Sequence, residues 1–160
     1  MSFLEWFNRH IAPRMTALGI TPRSVTLEVR GRRSGKPIRL SLSPARLDGK
    51  EYLVSLFGEQ NWVKNVRASG GKAHIVHGSR KRIQLAEVPI DQRAPILLAY
   101  VSERAFSRSS KEAARMYFDL ENPTLEDMKR IADRYPVFLI ELRQAQPSVV
   151  SCEAAEGRPE

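Results

Sequence analysis

The 160-residue chain is poor in the residues that build disulfide frameworks, metal centres and membrane spans. Its single cysteine, Cys152, lies in a polar stretch, so no intramolecular disulfide can form and a reducing, cytoplasmic setting is expected. Of the three histidines, His74 and His77 sit at odd spacing in one strand-like segment and point to opposite faces, while His10 has no motif around it. Neither a metal site nor a Ser/His/Asp triad is therefore expected. No apolar run approaches the ~20 residues of a membrane helix, and the N-terminal residues lack the apolar core of a secretory signal, so neither secretion nor an integral membrane location is expected. Acids are also scarce, at 18 against 26 Lys and Arg, for a formal charge of +8. That balance favours anionic partners without choosing among nucleic acid, anionic lipid and a phosphorylated cofactor. Aromatic residues are only 8% of the chain, and within the strand-like segments Tyr52 stands almost alone. A nucleic-acid-binding barrel would interleave exposed aromatics with basic residues on one sheet face, so no nucleic-acid partner is expected.

What is present is a change of periodicity along the chain. Phe3, Leu4, Phe7, Ile11, Met15 and Leu18 fall near a 3.6-residue period interrupted by Pro13, which predicts a short amphipathic N-terminal helix. Its apolar face needs a partner: this protein's own barrel, a cofactor or a membrane surface. From Ser24 the period becomes two, with Val25, Leu27 and Val29 and then Ile38, Leu40 and Leu42 alternating with polar residues in a hairpin. Asp48-Gly49 marks a turn before a strand at residues 52–56, and a short helix begins near Asn61 and closes at Gly70-Gly71. Residues 73–77 and 81–88 read as a hairpin across Gly78-Ser79. Helices follow at residues 90–101, at 111–118 and after Thr124, whose spacing to Asp127 resembles a capping box. Pro136 stops the last helix, and residues 137–142 form a final buried strand. Six strands joined mainly by hairpins predict a mainly β chain with helices (α+β): a small barrel over residues 1–143, with a disordered tail over 144–160.

Two segments carry chemistry. Counting from Arg30 to Arg39 inclusive there are five basic residues and no acid, and Gly31 and Gly35 bracket Arg32-Arg33-Ser34. Backbone N–H groups and guanidinium forks can converge there on one anion, phosphate being the obvious guest; the plain alternative is a solvated turn. The second segment is Gly58-Glu59-Gln60-Asn61-Trp62-Val63-Lys64-Asn65-Val66-Arg67-Ala68, a glycine turn opening a helix on which Trp62 and Asn65 share a face. Trp62 reads as a core anchor or a cofactor contact, and Asn65 as a surface amide, a local cap or a cofactor contact.

In order and spacing these two motifs resemble the deazaflavin-dependent nitroreductase and quinone reductase family, split β-barrel, FMN-binding-like oxidoreductases that use coenzyme F-420. The likeness covers roughly residues 3–143, though only the two motifs are specific to it. Ser41 stands where the strand after the basic loop commonly has a proline, and the loop from Ser55 to Trp62 is shorter than in nitroreductases of this family. The resemblance implies that Arg32, Arg33, Ser34, Gly35, Lys36 and Arg39 hold the cofactor's phosphodiester and acidic tail. It implies that Ser55, Leu56, Phe57, Gly58, Gln60, Asn61, Trp62 and Asn65 border its ring. Hydride would pass to a small apolar acceptor such as a quinone, nitro compound or enone, with Ser55 or Tyr117 assisting protonation. FMN in place of deazaflavin, and a non-catalytic binder of lipid, fatty acid or another anionic ligand in the same barrel, remain the alternatives. A homodimer and a peripheral membrane contact through the N-terminal helix are left open.

Overall fold

The computed structural model describes residues 24–104 and 110–142. The expected N-terminal helix, His10, Cys152 and the expected tail lie outside the described residues. Among the described residues seven strands occur, in the order β1 (Val25–Arg30), β2 (Pro37–Leu42), β3 (Ala45–Leu47), β4 (Lys50–Val54), β5 (Lys72–His77), β6 (Ser79–Glu87) and β7 (Val137–Leu142). Helix α1 (Asn61–Ala68) is inserted between β4 and β5. Helices α2 (Ile90–Arg104), α3 (Ser110–Phe118) and α4 (Leu125–Ile131) precede β7. The expectation of six strands missed β3, whose three residues are too few to show a period.

All seven strands form one antiparallel sheet in the order β2-β1-β5-β6-β7-β4-β3. That order forces the sheet to curl. Laid flat, six inter-strand steps would separate the two edges by roughly 29 Å. The edge strands β2 and β3 are joined only through Ser43 and Pro44, so Leu42 and Ala45 are at most about 11 Å apart. The edges meet at this corner without pairing among the described residues, which makes the chain a split β-barrel of mixed α+β class. The Asp48-Gly49 turn was legible in sequence, and both residues adopt positive φ in the two-residue hairpin between β3 and β4.

Strand alternation builds two cores. Leu27, Val29, Leu53, Ala73, Ile83, Leu85 and Phe138 fill the barrel interior, which α1 plugs with Trp62, Val63 and Val66. Ala45, Tyr52, Val54 and Val137 face outward beneath Leu97, Tyr100, Phe118 and Met128 of the three later helices. Buried Arg93 on α2 ties the layers together by donating to the carbonyls of Val88, Ala132 and Tyr135 and pairing with Glu87 at 3.1 Å. The capping box opens α4: Thr124 Oγ1 accepts from Asp127 N at 3.2 Å, and Thr124 N donates to the Asp127 carboxylate at 3.0 Å.

Candidate functional site

The basic loop is a self-bonded turn between β1 and β2. Gly31 N donates to Lys36 O at 2.9 Å, Gly35 N to Gly31 O at 2.8 Å, and Lys36 N to Ser34 Oγ at 3.3 Å. A Cβ at position 31 would lie 2.8 Å from Ser34 Oγ and 2.9 Å from Ile38 Cδ1, so a larger residue there requires these side chains to shift. Gly35, at φ 66°, supplies the left-handed residue of the return.

Arg32 joins this loop to the second motif. Its backbone N–H donates to Asn65 Oδ1 at 3.2 Å and its Nη1 to the same oxygen at 2.9 Å, while Nη2 reaches Asn61 Oδ1 at 3.2 Å. Asn65 is only 3% exposed. Its amide is thus a buried acceptor that fixes the loop on α1, a fourth role beside the three read from sequence. Arg33 and Lys36 remain exposed and make no ion pair among the described residues. The side chain of the N-cap, Gln60, makes no capping bond, and the first turn of α1 holds no acid. The first N–H groups of α1 therefore lack a capping side chain.

The glycine turn is held from inside. Ser55 is buried and donates to Gly58 O at 2.6 Å, while Trp62 Nε1 donates to Gln60 Oε1 at 3.1 Å. Trp62 packs on Phe138 with ring centroids 5.5 Å apart, as a core anchor would. Leu56 is half-buried against the helical layer, whereas Phe57 is 74% exposed at the tip of the turn. Glu59 pairs with Arg67 and, at 3.6 Å, with Lys64. Arg67 also binds Glu87 at 2.7 Å, which, with Arg93 nearby, holds the Glu87 carboxyl below the usual carboxylate range against the cost of burial.

Two of the expected site residues are turned elsewhere. Arg39 lies opposite Glu28 in the β1–β2 register and donates to its carboxylate at 2.7 Å, so its head is spent on the outer sheet face instead of the loop. Tyr117 lies in the helical layer edge-on to Tyr100, and its carbonyl accepts from the Tyr135 hydroxyl at 3.2 Å. Sequence reading missed buried Glu28 altogether. Burial alone would raise its pKa, but hydrogen bonds from Arg39 and Arg80 outweigh that and hold it below the usual range.

No family model matches the sequence, and no curated protein matches it. Among solved structures, the chain is similar to Atu2129 of unknown function from Agrobacterium tumefaciens, with a TM-score of 0.53 and 12% identity. The match covers 88% of this chain but 57% of that one, so the chain spans little more than half its length. An F420-H2 dependent reductase (FDR-A) aligns with a TM-score of 0.46 and 18% identity, over 74% of this chain and 94% of its own. A heme binding protein from Mycobacterium smegmatis aligns at 0.46 and 16%, over 82% of this chain and 51% of its own. The first likeness is one of fold alone, and the other two are too distant for either ligand to be inferred here.

Proposed function

We propose that this split barrel is an oxidoreductase that binds a phosphorylated deazaflavin of the coenzyme F-420 type and promotes hydride transfer to a small apolar acceptor such as a quinone. The observation that carries the reading is the Arg32 bridge to Asn61 and Asn65, which makes one continuous rim of the basic loop, the α1 N-terminus and the Gly58 turn. The donor set fits the group. Arg33 and Lys36 offer unspent cations for phosphate, the uncapped first turn of α1 favours an anion, and exposed Phe57 offers an apolar surface for a ring.

When bound, the reduced ring supplies the hydride. The chain's own work is to grip, orient and shield. Arg33 and Lys36 hold the anionic part, and Arg32 and Asn65 keep the loop against α1. Ser55 and Gln60 brace the turn that carries Phe57. With the Ser55 hydroxyl engaged by Gly58 and Tyr117 in the helical layer, we assign the proton taken up by the reduced product to water.

The test is fluorescence titration of deazaflavin into wild type and Arg33→Ala. Loss of a charge-assisted contact should weaken binding by about 1.5 kcal/mol, roughly tenfold, with a steeper loss at high salt in the wild type. Equal affinities in the two proteins would remove the loop from the site.

A further inference from the structure

A second basic surface lies on the outer face of β2, β1, β5 and β6. Glu28 stands opposite Arg39 on β2 and His74 on β5, and His74 stands opposite Arg82 on β6. Arg80 faces outward two residues before Arg82, and Arg30 and Lys72 lie one step along from the Val29–Ala73 pair. Same-face neighbours are about 4.8 Å apart across strands and ~7 Å apart along them, so five cations share a small area with one acid.

That acid organises the surface. Glu28 is 3% exposed, and its carboxylate accepts from Arg39 Nε at 2.7 Å and from Arg80 Nη2 at 2.5 Å and Nε at 3.0 Å. One negative charge holding two guanidiniums leaves the trio cationic, with further N–H donors available. Arg30, Lys72 and Arg82 make no ion pair among the described residues. These groups border a cleft of ≈ 860 Å³ between the sheet, the Gly35–Pro37 turn and the end of α1 at Ser69. The volume suits a small molecule, and among the described residues no Phe, Tyr or Trp lines the cleft to stack on bases.

We propose that this outer cleft binds a small polyanion carrying two or more phosphate groups, held by Arg30, Lys72 and Arg82 together with the Glu28-bound Arg80. The inference goes beyond the oxidoreductase reading and does not depend on it. His74 gives it an internal reporter. Burial and the charges of Arg80 and Arg82 hold its imidazole below the usual range, opposed by Glu28 at 3.9 Å. Arg30, Lys72 and Arg39 add to the positive field around it. A bound polyanion offsets these cations and raises the His74 pKa, so binding strengthens as pH falls through the histidine range.

The experiment is calorimetric titration of tripolyphosphate at low ionic strength into wild type, Arg33→Ala and Lys72→Ala/Arg82→Ala. The His74 ring resonance is followed by NMR with and without the anion, and unfolding curves check that the surface variants fold. The expected result is binding that weakens roughly 10- to 100-fold in the double variant but little in Arg33→Ala, with a His74 pKa that rises on binding. Free phosphate compounds and the acidic tail of a deazaflavin share this chemistry, and deazaflavin titration of the double variant separates them. Unchanged deazaflavin affinity in the double variant supports a separate phosphate ligand, whereas a parallel loss would assign the cleft to the carboxylates of the tail and overturn the proposal. If wild type binds no deazaflavin, the oxidoreductase reading fails while the tripolyphosphate result stands. No tripolyphosphate binding, full binding by the double variant, or a His74 pKa that does not move would overturn the proposal.

Discussion

Asn65→Ala tests the joint on which the candidate site depends. Asn65 Oδ1 accepts one neutral bond from Arg32 N at 3.2 Å and one charge-assisted bond from Arg32 Nη1 at 2.9 Å. The neutral bond contributes about 1 kcal/mol net and the charged one ~1.5–3 kcal/mol, of which water at the exposed Arg32 head recovers a part. The variant should therefore lose about 2–3 kcal/mol. Arg32→Ala keeps its backbone N–H, and with it the neutral bond, so it should lose less, about 1–2 kcal/mol. Combining the two in a double-mutant cycle isolates the guanidinium–amide bond, for which we expect a coupling of about 1–2 kcal/mol. Urea unfolding of the four proteins measures it, with equal slopes required so that the midpoints report stability alone. Strict additivity, a coupling below roughly 0.3 kcal/mol, would mean that the Arg32 guanidinium does not hold the loop on α1 through Asn65.

Further outcomes follow from the same structure. Gly71→Ala should destabilise by several kcal/mol, because a Cβ there would meet Leu85 O at 2.2 Å while the residue keeps a φ of 78°; a thermal midpoint within ~2 °C of wild type would contradict this. Acid should weaken the fold through Glu87, whose folded pKa lies below its ordinary 4.5 because Arg67, and with it Arg93, hold the charged form. A depressed carboxylate contributes stability that is present above the unfolded pKa and lost as pH falls through the folded one. Glu87→Gln should therefore flatten the decline of stability below about pH 4.5, and an unchanged pH profile would remove Glu87 from the account.

Much of the fold was legible because its signals are local. Period-two alternation at Val25–Val29, the Asp48-Gly49 turn, the Thr124–Asp127 box and the apolar run from Val137 each declare themselves within a few residues. The two motifs were legible in the same way, one through glycine and charge density and the other through a glycine turn before a helix. Their joint was not, since Arg32 and Asn65 stand 33 residues apart and an asparagine mid-helix reads equally as a surface amide. Glu28 was hidden for a related reason. In sequence it is one polar residue of an alternating strand, and only the pairing of β1 with both β2 and β5 sets Arg39 and His74 on either side of it. Arg39 was misdirected by proximity: four positions from Gly35 in the chain, it lies along an extended strand whose pleat turns it to the outer face.

The most direct test of the proposed function is turnover. Reduced deazaflavin is mixed with menadione, with and without the protein, and recovery of the oxidised ring's absorbance is followed, with NADPH and reduced FMN as competing donors. The account predicts protein-dependent, quinone-dependent reoxidation of deazaflavin, much less from NADPH or FMN, and a rate at subsaturating deazaflavin that falls in Arg33→Ala by roughly the tenfold expected of its binding. A protein that binds no deazaflavin at micromolar concentration and instead purifies with fatty acid would contradict hydride transfer and make the barrel a carrier.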